Sequence, residues 1–288
     1  MKFKIITLSV AVGVLILSGL YFYQDFSYPS RFRSSTTMVK PSRLVKSRER
    51  CYAFNRAKLD ELNFSASQYP ALDHLGEIND SLGGNFLVVS GLHDKVPYIA
   101  GKSLNYFNYY VNDGVVVDRL EAARKYGKAV HYVIRRLLNG VPLSLDSLDE
   151  SQIYASVDRM HEMGINYVEP LPANWLTQWD YVQDLIPLFQ DARKRDTQLH
   201  FYCENGKGRT TTMSILYDIF ANSKKVSLDD ILTRHFCLGG EDLSDTVLRV
   251  GGTWTDTSLK NRYHLVKAFY DYMNEAYPQQ TWVSWLGI

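Results

Sequence analysis

Residues 202–212 read YCENGKGRTTT, which sets Cys203, two glycines, Arg209 six positions on and three threonines in one short turn. A thiol attacks only as its thiolate, and a thiolate needs positive potential beside it at neutral pH. This stretch supplies that potential. Backbone N–H groups at the start of a following helix point at a bound anion, and the helix dipole favours negative charge there. Gly206 and Gly208 are expected to take positive φ, so that the loop's amides curl inward as an anion nest. Arg209 offers a planar fork to two phosphate oxygens. Thr210 can donate a hydrogen bond to the Cys203 sulfur and make it a better leaving group in a hydrolytic step. Lys207 reads as an extra cation on the rim or as a solvated loop lysine. The chemistry indicated is transfer of a phosphoryl group to a cysteine.

A cysteine with an arginine six residues later arises by chance at roughly 5% per cysteine, so the bare pair is weak. The glycines, the following threonine and the flanking pattern make it specific. The nucleotide-binding P-loop is excluded, because Lys207 is followed by Gly208 and not by Ser or Thr. The stretch HEMGIN (161–166) lacks a second histidine four residues after its Glu, so it is no zinc-protease helix. No metal and no cofactor is implied.

The elements that must hold this loop read as α/β. QLHFY (198–202) predicts a short buried strand running into it, and TTTMSILYDIFANS an amphipathic helix leaving it. NFLVVSGL (85–92) reads as a buried strand closed by Gly91, and INYVEPL (165–171) as another. DESQIYASVDRMHEMG (149–164) reads as a helix closing on Gly164. WDYVQDLIPLFQDARKR (179–195) puts Val182, Leu185, Ile186 and Phe189 on one helical face, with Pro187 inside it. Strand-like segments around 96–117 and 129–134 suggest a small β-insert. The alternation predicts a central sheet flanked by helices, with the loop at a strand's C-terminal end.

The chain has 288 residues, 45% hydrophobic and 22% charged, enough for one globular domain with a full core. Its net charge of +1 gives no global field for nucleic acid, so none is expected as a partner. Two lysines precede an apolar run from Ile5 to about Phe22, long enough to cross a bilayer. Residues 1–24 are read as a signal anchor, with a cleaved signal peptide and a buried helix as the alternatives. The expected organisation is then a basic linker over 25–50 and a domain over 51–288, with the possible insert at about 96–135. The domain is expected to be exported, periplasmic or otherwise extracytoplasmic, and tethered to the membrane. Three cysteines are too few for a disulfide scaffold, but pairing of Cys51 with Cys237 would leave Cys203 free. Burial of both as thiols is the alternative. Nothing in the sequence fixes an oligomeric state.

HFYCENGKGRTTT resembles the Cys-x5-Arg-Ser/Thr signature of cysteine-based phosphatases, and most of all the branch of protein-tyrosine-phosphatase-like inositol phosphatases, or cysteine phytases. VSLDDILTRHFCLGG (226–240), RYHLVKAFYDYMNEAYPQQTWVSWL (262–286) and RFRSS (31–35) resemble further stretches of that branch. The resemblance implies a cysteine-phosphatase-type α/β domain with a small β-rich insert. It also implies stepwise removal of phosphates from inositol polyphosphates through a phosphocysteine. It makes Cys203 the nucleophile, Arg209 the phosphate clamp and Thr210 the thiol's helper, with residues 204–208 binding substrate. Arg33, Lys260 and Arg262 become candidate outer phosphate contacts.

The pattern fails at the proton donor. Where the family has Asp-His, this chain has Ala173 and Asn174, neither of which carries a carboxyl. Asp180, Glu169 and Asp94 are the candidate substitutes. Tyr202 replaces the histidine that usually precedes the nucleophile, with His200 two residues earlier. A missing general acid costs about 10² to 10⁴ in rate. Three readings follow: an inositol polyphosphatase, a pseudophosphatase that binds inositol phosphates or phosphorylated partners, and a protein-tyrosine or dual-specificity phosphatase.

Overall fold

The structure, a computed structural model, describes residues 33–34, 62–67, 72–91, 97–99, 102–103, 153–172, 174–203, 206–247 and 255–288. The apolar run at 5–22, most of the linker and Cys51 lie outside these residues. Among the described residues no helix is long and apolar enough to cross a membrane.

Five strands form the main sheet: β1 (Arg33–Ser34), β2 (Phe64–Ser67), β3 (Phe86–Ser90), β7 (Asn166–Val168) and β8 (Gln198–Tyr202), in the order β1-β2-β8-β3-β7. β2, β8, β3 and β7 run parallel, and β1 pairs antiparallel on the edge. β8 is therefore central, with Leu199 opposite both Phe64 and Leu87. A strand buried between two others must be apolar on both faces, which is why QLHFY reads as a short continuous run.

Alternation along β8 divides the core. Leu199 and Phe201 join Phe64, Ala66 and Val89 in the larger cluster, covered by α3 (Val182–Lys194), α4 (Gly208–Asn222), α6 (Asp256–Glu275) and α7 (Trp282–Leu286). Tyr202 points to the other face, with Phe86 and Val88, under α1 (Leu72–Ser81) and α2 (Ser156–Glu162). Helices thus cover both faces, as parallel strands require.

The helix expected over 149–164 is shorter than its sequence suggested. Ile153–Ala155 forms a strand, β6, and only Ser156–Glu162 is helical. The reason is a partner: Ile153, Tyr154 and Ala155 pair antiparallel with β4 (Pro97–Ile99), and tertiary pairing overrides local propensity. With β5 (Lys102–Ser103) these make a three-stranded antiparallel sheet, order β5-β4-β6. The β-insert is present in part; its second expected segment, 129–134, lies outside the described residues. Gly164, at φ 67°, ends the turn after α2 as expected.

The later helices start where their caps say. Ser227 accepts from Asp230 N–H ahead of α5 (Leu228–Cys237), Thr255 from Ser258 N–H ahead of α6, and Thr281 from Ser284 N–H ahead of α7. α3 continues through Pro187, whose side chain faces solvent, and buries Val182, Leu185, Ile186 and Phe189.

Candidate active site

β8 ends at Tyr202, and Cys203 follows with 3% of its surface exposed. Gly206 takes φ 61°, the left-handed turn a glycine allows, and its N–H reaches back to Cys203 O at 3.4 Å. Gly208 departs from expectation. It is the first residue of α4 and has no positive φ, because the helix begins one residue sooner than a two-glycine curl would require. Thr211 N–H closes the first turn onto Lys207 O at 2.7 Å.

α4 starts without a side-chain cap and without an acid in its first turn. A helix start of this kind, with the positive end of its dipole facing the loop, favours an anion. Arg209, half-buried, sits in that turn, and Lys207 is exposed on the rim. Glu204 and Asn205 lie outside the described residues.

Thr210 is fully buried, and its Oγ1 has no hydrogen-bond partner among the described residues. The expected bond from Thr210 to the Cys203 sulfur is therefore not made. Thr210 lies in α4's first turn, where its side chain direction is set by the helix and not by the thiol.

Gly91, read from sequence only as a strand terminator, proves to be part of the site's frame. Its N–H donates to Tyr202 O at 2.7 Å, joining the ends of β3 and β8. A β-carbon there would stand 3.0 Å from Arg209 Cβ, Met213 Cε and Tyr202 O. Arg209 is seated by a backbone that has no side chain to offer.

Beneath the loop, polar groups of β8 are satisfied within the sheet. Ser65 Oγ lies 2.8 Å from His200 Nδ1, and Ser67 Oγ 3.0 Å from Nε2, so both imidazole nitrogens are occupied in the core. Tyr202 Oη meets Tyr167 Oη at 3.1 Å, and Tyr167 donates to Glu169 Oε1 at 2.6 Å. Burial first, then the Tyr202 hydroxyl and the bond to Glu169, push the Tyr167 phenol far above its usual range, so it stays a donor.

The stretch that should carry the acid is a series of turns. Asn174 is exposed, its amide donates to Gln178 Oε1, and its carbonyl accepts from Thr177 and Gln178 N–H. Ala173 and Asp94 lie outside the described residues. Asp180 is exposed just ahead of α3. Trp282 holds this segment from behind: its Nε1–H donates to Trp179 O at 2.6 Å, and its N–H to Gln183 Oε1 at 2.8 Å.

Of the outer contacts, Lys260 is exposed on α6, and the Arg33 side chain is outside the described set. Arg262 corrects its expectation. It is 0% exposed and donates through Nη1 to Glu241 Oε2 at 2.5 Å, so it is a buried, ion-paired arginine and not an outer contact. Its place on the inward face of α6, between Leu259 and Leu265, decides this.

A second polar cluster braces α4 against α5. Asp218 accepts from Arg234 Nε and Nη2 and from Asn222 Nδ2 at 2.9 Å, and faces His235 Nε2 at 3.0 Å, all buried. Sixteen residues separate Asp218 from Arg234, so no local spacing announced the pair. Cys203 is a free thiol and Cys237 is disulfide-bonded; Cys51 lies outside the described residues. Among the described residues, no cluster of His, Cys, Asp and Glu could hold a metal.

Residues 150–221 match the model of the PTP-like phytase family, described by inositol hexakisphosphate. That segment includes the whole of the Cys203 loop. Among solved structures, a tandemly repeated protein tyrosine phosphatase-like phytase from Mitsuokella multacida aligns with TM-score 0.65 and 18% identity over 91% of this chain and 47% of its own. A PTP-like myo-inositol phosphatase from the same organism, in complex with myo-inositol-(1,3,4,5)-tetrakisphosphate, gives 0.63 and 21% over 90% and 45%. A PTP-like phytase from Bdellovibrio bacteriovorus gives 0.54 and 21% over 91% and 90%. At these identities the likeness is one of fold. Curated relatives are more partial: effector protein hopD2 of Pseudomonas syringae pv. tomato is 27% identical over 35% of this chain, which spans 22% of that protein. AvrBs1.1 of Xanthomonas campestris pv. campestris is 29% identical over 32% of this chain and 89% of its own length.

Proposed function

We propose that the chain is a member of the PTP-like inositol phosphatases and a cysteine-dependent phosphomonoesterase acting on inositol polyphosphates. One observation carries this reading: the free thiol of Cys203 stands where a central parallel strand ends and an uncapped helix begins, with Arg209 in that helix's first turn. The Cys203 thiolate attacks phosphorus, the ester P–O bond breaks, and the departing oxygen takes a proton. Water then attacks phosphorus and the P–S bond breaks, returning the thiolate. Helix N–H groups and Arg209 hold the phosphoryl oxygens throughout, stabilising the charge that develops on them. The exposed Lys207 on the rim suits a substrate bearing several phosphates.

Of the candidate acids, Glu169 is favoured over Asp180. It follows β7, two strands from β8, about 10 Å across the sheet at usual strand spacing, and Tyr167 fixes its carboxyl. Export to an oxidising compartment is supported by the disulfide at Cys237, and the apolar run at 5–22 would supply the membrane contact.

A second reading, a phosphate-binding pseudophosphatase, rests on Asn174 standing in the acid's segment with its amide engaged by Gln178. Phosphate release from inositol hexakisphosphate and from an aryl phosphate, with Cys203→Ser alongside, separates the two. The enzyme reading expects both substrates to turn over, the serine variant to be inert, and Glu169→Gln to slow the inositol substrate about 10²-fold while sparing the aryl ester. Hydrolysis of neither substrate, with the inositol phosphate still bound, would leave the pseudophosphatase.

A further inference from the structure

We infer that Arg262 and Glu241 are positioning residues for the phosphate loop, acting on it through Thr211; the inference rests on the cysteine-phosphatase reading of that loop. The link is continuous. Arg262, 0% exposed on α6, donates to Glu241 Oε2 at 2.5 Å. Glu241 N–H donates to Thr211 Oγ1 at 3.1 Å, and Thr211 N–H donates to Lys207 O at 2.7 Å. Three bonds therefore run from the buried face of α6 to the last residue before α4.

The turn carrying Glu241 is pressed onto Thr211. A β-carbon at Gly240 would stand 2.7 Å from His235 O and 3.0 Å from Thr211 Cγ2, and Gly240 N–H is already committed to His235 O at 2.9 Å. That turn leaves α5, whose Arg234 and His235 are fixed to Asp218 of α4. The turn thus cannot slide along α4, and Glu241 is its only described acid joined to Arg262. Charge makes the link directional: with Arg262 buried, loss of the Glu241 carboxylate takes a counter-charge from the guanidinium and a bond from the turn, which is then free to shift. Thr211 then loses the donor that holds its hydroxyl, and the turn closing on Lys207 O loosens. Cradles of this kind work by being organised before charge arrives, so a displacement well under 1 Å is felt in rate.

Three variants test this. Glu241→Gln keeps shape and backbone donor but removes the charge, Arg262→Lys keeps charge but not the fork, and Thr211→Val removes the acceptor without creating a buried charge. Each should lower kcat/KM about tenfold, by the same factor on an aryl phosphate and on inositol hexakisphosphate, because the defect lies in the shared cradle. Combining Glu241→Gln with Arg262→Lys should cost little more than either alone. A larger loss on the hexakisphosphate than on the aryl ester in Arg262→Lys would instead make Arg262 a substrate contact and overturn the inference.

A readout independent of turnover is the pH dependence of Cys203 alkylation by iodoacetamide in the folded protein. Its midpoint should move upward in Glu241→Gln and in Thr211→Val, since a loosened cradle stabilises the thiolate less. An unmoved midpoint in folded variants sinks the inference even where activity falls. Should either charge variant fail to fold, Thr211→Val carries both readouts. If the unaltered protein hydrolyses neither substrate, the enzyme reading fails, and the alkylation midpoint still decides the positioning role.

Discussion

At the scale of single residues, the site depends as much on a side chain that is missing as on those present. Gly91 joins β3 to β8 through its bond to Tyr202 O, and its bare Cα lies where any β-carbon would meet Arg209 Cβ and Met213 Cε at 3.0 Å. The methionine end can swing away, but Tyr202 O cannot recede without stretching a 2.7 Å hydrogen bond. Gly91→Ala should therefore push Arg209 by a few tenths of an ångström, lowering kcat/KM about tenfold for about 1–2 kcal/mol of lost stability. Steady-state kinetics beside a thermal melt would show it. Unchanged kinetics with an unchanged melt would mean that α4 yields at no cost. The same scale explains Thr210: its hydroxyl is buried in the first turn of α4 and finds no partner among the described residues, the thiol included.

At the scale of elements, what the sequence showed depended on whether the deciding contact was local. β8, the loop and α4 were legible because a short apolar run, a glycine turn and an amphipathic stretch adjoin one another. The caps at Ser227, Thr255 and Thr281 are likewise local signals. β6 was hidden, because Ile153–Ala155 becomes a strand only beside β4, some fifty residues earlier. Arg262 was misread for the same reason: an arginine among polar neighbours looks exposed until the α6 face it occupies is known to be the buried one. The Asp218–Arg234–His235 cluster binds α4 to α5 with no signature in either helix alone. Burial brings the Arg234 guanidinium down to about 10, so at neutral pH it remains a cation that needs Asp218. Asp218→Ala should cost about 3–5 kcal/mol in urea unfolding, by stranding that charge. Replacing the pair together with Asp218→Leu and Arg234→Met should cost less than Asp218→Ala alone. A double replacement worse than the single one would mean that Asn222 and His235, and not the charge pair, hold the cluster.

At the scale of the whole molecule, the sheet is packed on both faces by aromatic side chains, and several of their phenols are buried. Tyr167 and Tyr202 lie between β7 and β8 on one face; Tyr217 of α4 and Tyr272 of α6 lie in the larger cluster with Phe189, Phe201, Phe269 and Trp282. Burial raises Tyr167, Tyr181, Tyr217 and Tyr272 above the ordinary 10.0, with help from the neighbouring Tyr202 at Tyr167, Asp180 at Tyr181 and Tyr277 at Tyr272, and against Arg193 at Tyr217. A phenol whose proton is held more tightly in the fold contributes no penalty below pH 10. Above it the unfolded chain loses protons that the folded chain keeps, so stability falls as pH rises. Between the unfolded and the folded titration points, each such tyrosine removes about 1.4 kcal/mol per pH unit. The expected result is a thermal midpoint nearly flat from pH 8 to 9.5 that drops steeply above 10, with the ultraviolet signal of tyrosinate from the buried set appearing only as the fold is lost. Tyrosinate formation complete near pH 10 in a protein that still melts cooperatively would show that these phenols reach water. The two faces of the sheet would then be far looser than their packing implies.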